Sequence, residues 1–336
     1  MFKKILLLLI VISLTSCKST ANLASIRSAE NLIKQIKADN TDVVSIANQA
    51  IKTNKLIQQD ISNIKALLNE LSKHIHDVWG EDNPRLPSNK KLVKYTNNYK
   101  ARAIVDFEKG LILIETLADN TKAKTIGNLQ NAIVTTLLTS ADPNKTDIFS
   151  SDAPKISGKP YLYQQVLDQD KEPIQYSWRA NRFSQYLTEF KLQKYTKNRK
   201  QIYAVSINMV EQHQHLREQK YSQHVLASAR RYQISPQLIY GIIATESSFN
   251  PFAVSSANAY GLMQVVPSTA GTDVYQRIKN KNGAPSKQQL FDPAFNIDIG
   301  AAYLHILNNN YLKDVTNATS RHYSIISAYN GGSGTV

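Results

Sequence analysis

The spacing of apolar and polar residues divides the chain into two textures. In a polar stretch from about residue 23 to 77, "DISNIKALLNELSKHI" places Ile61, Ile64, Leu67, Leu68, Leu71 and Ile75 on one stripe, which predicts an amphipathic helix lying on another surface. Pro84 and Pro87 in "EDNPRLPSN" end that pattern. "ARAIVDFEKGLILIETL" then reads as two β-branched runs around Glu108-Lys109-Gly110, a β-hairpin with glycine free to take the left-handed turn position. Helical periodicity returns in "TKAKTIGNLQNAIVTTLLTS". A loop carrying Pro143, Pro154 and Pro160 follows, then a helix from Trp178 to Phe190, the basic stretch "KLQKYTKNRK" and a strand, "IYAVSINMV".

From Glu211 onward the periodicity is helical throughout. "REQKYSQHVLASARRYQIS" ends at Ser235, which with Pro236 forms a cap-and-proline start for the next helix, and Asp292-Pro293 opens another. We place a domain boundary near 200 to 212, assigning 31–205 to the first domain and 206–336 to the second. The fold class expected is α+β, a mixed α/β N-terminal domain followed by an all-α domain.

One residue breaks the pattern of its own helix. Leu238, Ile239, Ile242 and Ile243 form an apolar face, and the next position on that face, 246, is a glutamate. A carboxyl directed at a core loses the hydration of its charged form, and the negative end of the helix dipole adds to the effect. Both favour the protonated acid near neutral pH, which is the state a general acid requires. Periodicity alone equally allows a frayed helix end that points Glu246 to solvent.

The 336 residues suffice for two domains, and 42% hydrophobic content supports a sizeable core. The single cysteine, Cys17, excludes an intrachain disulfide. It follows "MFKKILLLLIVISLTS", two lysines, an apolar run and small residues, the layout of a secretory signal peptide over 1–16. Leu14-Thr15-Ser16-Cys17 resembles a bacterial lipobox. That resemblance implies cleavage before Cys17, lipidation of its thiol and a tether over 17–30; a plain signal peptide or an uncleaved anchor is the alternative. The formal charge of +14 attracts polyanions such as anionic lipid or a cell-wall polymer bearing peptide carboxylates. Export sets nucleic acid aside as a partner. His213 with His215, and His74 with His76, are spaced two apart, which points their rings in different directions, so no metal site is expected.

The stretch "ESSFNPFAVSSANAYGLMQVVPSTAG" carries Glu246-Ser247, Asn250-Pro251, Ala253, Ser255, Ala259, Gly261-Leu262-Met263-Gln264, Pro267 and Ala270. Ala328-Tyr329-Asn330, followed by glycines, comes near the end of the chain. These residues resemble the two motifs of the lytic transglycosylases of the lysozyme-like superfamily. Asn258 stands where that pattern has glycine, and asparagine best replaces glycine at positive φ. Lipobox, α/β first half and second half together are similar to the type C membrane-bound lytic murein transglycosylases.

The resemblance implies a lysozyme-like second domain, peptidoglycan glycan strands as substrate, attachment to the outer membrane facing the periplasm, and no cofactor. It implies Glu246 as catalytic acid/base, Met263 and Gln264 beside a sugar N-acetyl group, and Tyr329 and Asn330 near the glutamate and the glycan. Core packing for Met263 and helix capping for Asn330 are the other readings of those residues. Two roles suit Ser247, orienting Glu246 or capping the turn. Family members continue past the second motif, so a catalytic domain truncated at Val336 is expected. A lysozyme-type hydrolase and a non-catalytic glycan-binding lipoprotein are the competing functions. Hydrolysis requires two carboxylates about the scissile bond. Asp273, Asp292 and Asp298 are the nearest candidates in sequence, and Asp292 already reads as a helix cap.

Overall fold

A computed structural model describes residues 66–81 and 84–332. Cys17 and the stripe residues Ile61 and Ile64 lie outside the described residues. Helix α1 covers 66–79. It precedes β1 (Lys91–Thr96), β2 (Ala101–Asp106) and β3 (Leu111–Leu117), then α2 (Lys122–Leu137), α3 (Ser177–Phe190), β4 (Gln193–Lys197) and β5 (Lys200–Asn208). The strands form one antiparallel sheet in the order β1-β2-β3-β5-β4.

Strand alternation assigns one side of the sheet to each helical layer. Val93, Tyr95 and Ile202 face Leu71, Ile75 and Trp79 of α1. The opposite parity, including Leu92, Ala103, Val105, Ile112 and Ile114, joins the main core with Leu129 and Ile133 of α2. The expected β2–β3 hairpin is present, with Gly110 at φ +63°. β1 and β4 were not anticipated. β4, "QKYTK", is an edge strand with most of its side chains exposed, so it has no apolar alternation to read, and its lysines protect the open edge. Its hairpin to β5 turns through Asn198 and Arg199, both at positive φ, as a two-residue type I′ turn requires.

The second half is helical: α4 (His213–Tyr232), α5 (Pro236–Ser247), a π turn at Pro267–Gly271 leading into α6 (Thr272–Arg277), α7 (Lys287–Leu290), α8 (Pro293–Ile306), a π turn at Leu307–Tyr311, and α9 (Ala318–Gly331). α8 is buried nearly all round and packs on α4, as expected of a helix with little amphipathicity. Asp292 caps it, its carboxylate accepting from the Phe295 amide at 2.7 Å.

Arg217 of α4 joins the halves. Its guanidinium is fully buried and donates to the Phe107 carbonyl (2.7 Å), the Gln165 side chain (2.9 Å) and the Ser248 carbonyl (3.1 Å). Tyr161, from the long segment between α2 and α3, donates its hydroxyl to the Phe249 carbonyl at 2.7 Å. Both contacts end on the residues that immediately follow α5.

Candidate active site

α5 starts where the sequence predicts. Ser235 accepts the Leu238 amide at 3.4 Å, and Pro236 takes the first turn, where a missing N–H costs nothing. Leu238, Ile239, Ile242 and Ile243 are buried, and Glu246 continues their face as a half-buried residue one position from the helix end. Ser248 and Phe249 then adopt left-handed backbone (φ +49° and +60°), which stops the helix and turns the chain away.

Burial raises the proton affinity of the Glu246 carboxyl, and the Lys90 ammonium opposes that effect. The carboxyl therefore holds its proton to higher pH than an exposed glutamate does.

The loop after α5 is a compact unit. Tyr260 and Val265 exchange backbone hydrogen bonds at 3.1 and 3.0 Å, and the Gly261 amide donates to the Ala253 carbonyl at 2.9 Å. Asn258 has φ +62°, and its side chain accepts from the Tyr260 hydroxyl at 2.5 Å. Asparagine thus fills the glycine position of the motif as expected. Gly261 at φ +71° has no room for a side chain: a Cβ there would come within 2.4 Å of the Leu290 carbonyl. Asn296 of α8 fixes this loop from beneath. It accepts the Met263 amide at 2.8 Å and donates to the Tyr260 and Leu290 carbonyls, each at 2.8 Å. Sequence reasoning passed over it because a lone asparagine in a helix carries no signal of the loop it will hold.

Several expected residues converge. The Ser247 hydroxyl donates to the Leu262 carbonyl at 2.7 Å and to Ile243 one turn back at 3.1 Å, binding the end of α5 to the loop. Tyr329 on α9 donates to the Met263 carbonyl at 2.7 Å, binding the last helix to the same loop. Burial first, and then the Glu246 charge, raise the proton affinity of the Tyr329 phenol well above its ordinary value, so phenol and carboxyl share one environment.

Ser247 and Met263, however, are fully buried. Met263 packs against Gly300, where a Cβ would meet its sulfur at 2.3 Å, so its side chain belongs to the core and differs from the expected place beside a sugar. Ser247 serves the turn and hydrogen-bonds backbone carbonyls. Gln264 is 9% exposed, at φ +47°, and donates to the Gly261 carbonyl at 3.1 Å. Asn330 is exposed next to Tyr329, with its amide 3.3 Å from the Ile326 carbonyl.

The first domain also reaches this site. Asn89 donates its side-chain amide to the Glu246 carbonyl at 2.9 Å, and Asn250 donates to the Asn89 carbonyl at 2.9 Å. Lys90, the next residue, pairs with Glu108 at 2.5 Å and supplies the positive charge felt by Glu246.

The other acidic candidates are occupied elsewhere. Asp298 is held by Arg231 and Lys279, each at 2.5 Å, and by the Tyr232 hydroxyl at 2.9 Å. Asp292 caps α8, and Asp273 accepts from the Tyr311 hydroxyl at 2.9 Å. Among the described residues the arrangement therefore centres on one carboxyl whose proton affinity burial raises, beside a hydrogen-bonded loop.

Comparison with known proteins gives two adjoining family matches. Residues 57–220 match the N-terminal domain of membrane-bound lytic murein transglycosylase C, and residues 223–336 match the transglycosylase SLT domain. Curated proteins named membrane-bound lytic murein transglycosylase C are similar over most of their length. The protein from Yersinia enterocolitica is 44% identical over 290 residues, 86% of this chain and 79% of its own. That from Serratia proteamaculans is 43% identical over 286 residues, 85% of this chain and 79% of its own.

Proposed function

The chain belongs to the membrane-bound lytic murein transglycosylase C family, and from that premise we propose how Glu246 performs the reaction and where the protein works. It is a peptidoglycan lytic transglycosylase. Glu246, protonated in its half-buried position, gives its proton to the glycosidic oxygen between N-acetylmuramic acid and N-acetylglucosamine. The bond from muramyl C1 to that oxygen breaks, and its electron pair leaves with the oxygen. The new carboxylate takes the proton of the muramyl C6 hydroxyl, whose oxygen closes onto C1. The product carries a 1,6-anhydromuramyl end, no water is consumed, and Glu246 returns to its starting protonation state. A single group can serve both steps when its proton affinity lies near ambient pH.

The observation that carries this reading is the raised proton affinity of Glu246, with the competing carboxylates engaged in other contacts. Hydrolysis by two carboxylates would need a partner acid at the bond. Tyr329, through its bond to Met263, fixes the loop that follows the acid, and we assign Gln264 and Asn330 to meet the glycan, a reading supported by their place on that loop and next to Tyr329. Mass spectrometry of a digested cell wall tests the reading: anhydromuramyl ends are expected, and reducing muramyl ends would overturn it in favour of hydrolysis.

The protein associates with membranes, as its relatives' name records. No helix among the described residues is long and apolar enough to cross one. We assign attachment to lipid on Cys17, at the periplasmic face of the outer membrane, supported by the lipobox-like Leu14-Thr15-Ser16-Cys17 and by Lys18 after it. Cys17→Ala is expected to move the protein from the membrane to the soluble fraction; unchanged fractionation would refute the anchor.

A further inference from the structure

A groove of about 360 Å³ opens where the segment after α2 meets α4, and Glu246 is not among its lining residues. Lys159, Tyr161, Tyr163 and Gln164 form one wall, and Lys220 and Tyr221 of α4 form the other. Each lysine lies over a tyrosine ring, Lys159 at 4.3 Å from the Tyr163 centroid and Lys220 at 4.4 Å from that of Tyr161. No acidic side chain is among the lining residues described. Glu218, two residues before Lys220, is engaged by Gln214 and His215 instead.

Resting on the transglycosylase reading, we propose that this groove binds the terminal carboxylate of a peptidoglycan stem peptide. The Lys159 ammonium, the buried Arg217 and Lys220, which burial and those two charges bring down to a pKa of about 7, form a cluster whose full positive charge an entering anion restores. Lys220 donates to the Tyr161 carbonyl, and burial of its amine, followed by the nearby Arg217 and Lys159 charges, lowers its affinity for its proton. The tyrosines, with Pro160 and Leu216, supply an apolar wall for the carbon skeleton behind the carboxylate. A neutral sugar would need free aromatic faces for stacking, and the ammonium groups already occupy faces of Tyr161 and Tyr163. Tyr161 belongs both to this groove and to the clamp on Phe249, so an occupied groove holds substrate against the same support as the end of α5.

The test is calorimetric titration of the full chain at low salt with a purified tetrapeptide stem, with its C-terminal amide, and with acetate. The acid is expected to bind saturably, the amide at least tenfold more weakly, and acetate not at all at the same concentration. Lys159→Gln and Lys220→Gln are each expected to weaken the acid several-fold and their combination at least tenfold, with far-UV circular dichroism confirming the fold. Lys159 is exposed, so its variant tests the site even where Lys220→Gln disturbs packing. Glu246→Gln is expected to bind the acid as the wild type does. Equal binding of acid and amide, equal binding of acetate, unchanged binding in the double variant, or loss of binding in Glu246→Gln would each overturn the site. Digestion of peptide-free glycan by the wild type, scored for anhydromuramyl ends, tests the underlying reading separately.

Discussion

The two halves of this chain contribute to one site in different ways. The helical half carries the carboxyl that we propose reacts, and its loop and helices set the immediate geometry through Ser247, Asn296 and Tyr329. The α/β half supports Glu246 from outside: Asn89 donates to that residue's own carbonyl, Tyr161 holds the turn after it through the Phe249 carbonyl, and Phe107 and Gln165 anchor Arg217, which donates to Ser248. A helix end stopped by two left-handed residues has carbonyls pointing outward without helical partners. Here the neighbouring domain, together with Arg217, satisfies them. Chemistry is local in sequence, and its support is not.

The largest effect should follow removal of the acid. Glu246→Gln keeps shape and neutrality but cannot donate or accept the catalytic proton. A loss of about 10³-fold or more in turnover is expected, at the upper part of the range for a general acid because one group serves both steps. Comparable turnover in variant and wild type would remove Glu246 from the mechanism and collapse the contrast between the halves.

Next comes the clamp. Arg217→Met removes a buried cation that serves carbonyls from both halves and leaves Phe107 and Ser248 oxygens without it. A loss of about 3 kcal/mol is expected from the buried polar groups left unsatisfied. Urea unfolding followed by fluorescence should then separate into two transitions, one for each half. A single transition at the wild-type midpoint would show that the halves do not depend on this residue.

A smaller effect isolates positioning. Asn89→Ala removes one hydrogen bond to the Glu246 carbonyl and leaves the carboxyl untouched. We expect kcat to fall several-fold with KM nearly unchanged, because a misplaced acid loses transition-state contact without losing glycan binding. Asn250→Ala acts on the same link from the other side, so the two changes should be less than additive, with a coupling of about 1 kcal/mol. Additive effects would dissolve the link.

What sequence reading reached follows the same division. The stripe ending in Glu246, the cap at Ser235, the left-handed Asn258 and the β2–β3 hairpin are all encoded within a few residues, where periodicity and turn chemistry operate. Met263 stood open between core and cleft, and the close approach of Gly300 decides for the core. The Asn89 contact spans 157 positions and Arg217's bond to Phe107 spans 110, so no local rule could pair them. β4 escaped for a different reason: an edge strand that faces solvent on most of its residues has no hydrophobic period.

The finest test concerns Lys90, the charge that the α/β half brings to Glu246. Burial favours the neutral acid and Lys90 favours the carboxylate, so the proton affinity of Glu246 is a balance between the two halves. Removing the cation in Lys90→Met tips the balance toward the neutral form, and the folded-state pKa of Glu246 rises further above that of the unfolded chain. In the proposed reaction the first step needs the protonated acid, so the alkaline limb of the pH–rate profile should move to higher pH in the variant. The shift should be small, because Lys90 already pairs with Glu108 at 2.5 Å and part of its field is cancelled. Stability gives an independent reading with a fixed sign. A carboxyl whose pKa is raised by folding stabilises the fold below its unfolded pKa, and the advantage is lost as pH rises through the folded value. Lys90→Met should therefore lose more stability than the wild type as pH rises from the unfolded pKa of Glu246 through its folded one. Salt should move the wild type toward the variant in both measurements, since screening weakens the lysine's field while leaving burial intact. An alkaline limb that shifts downward, or does not respond to salt, would mean that the α/β half holds the acid in place without tuning its charge.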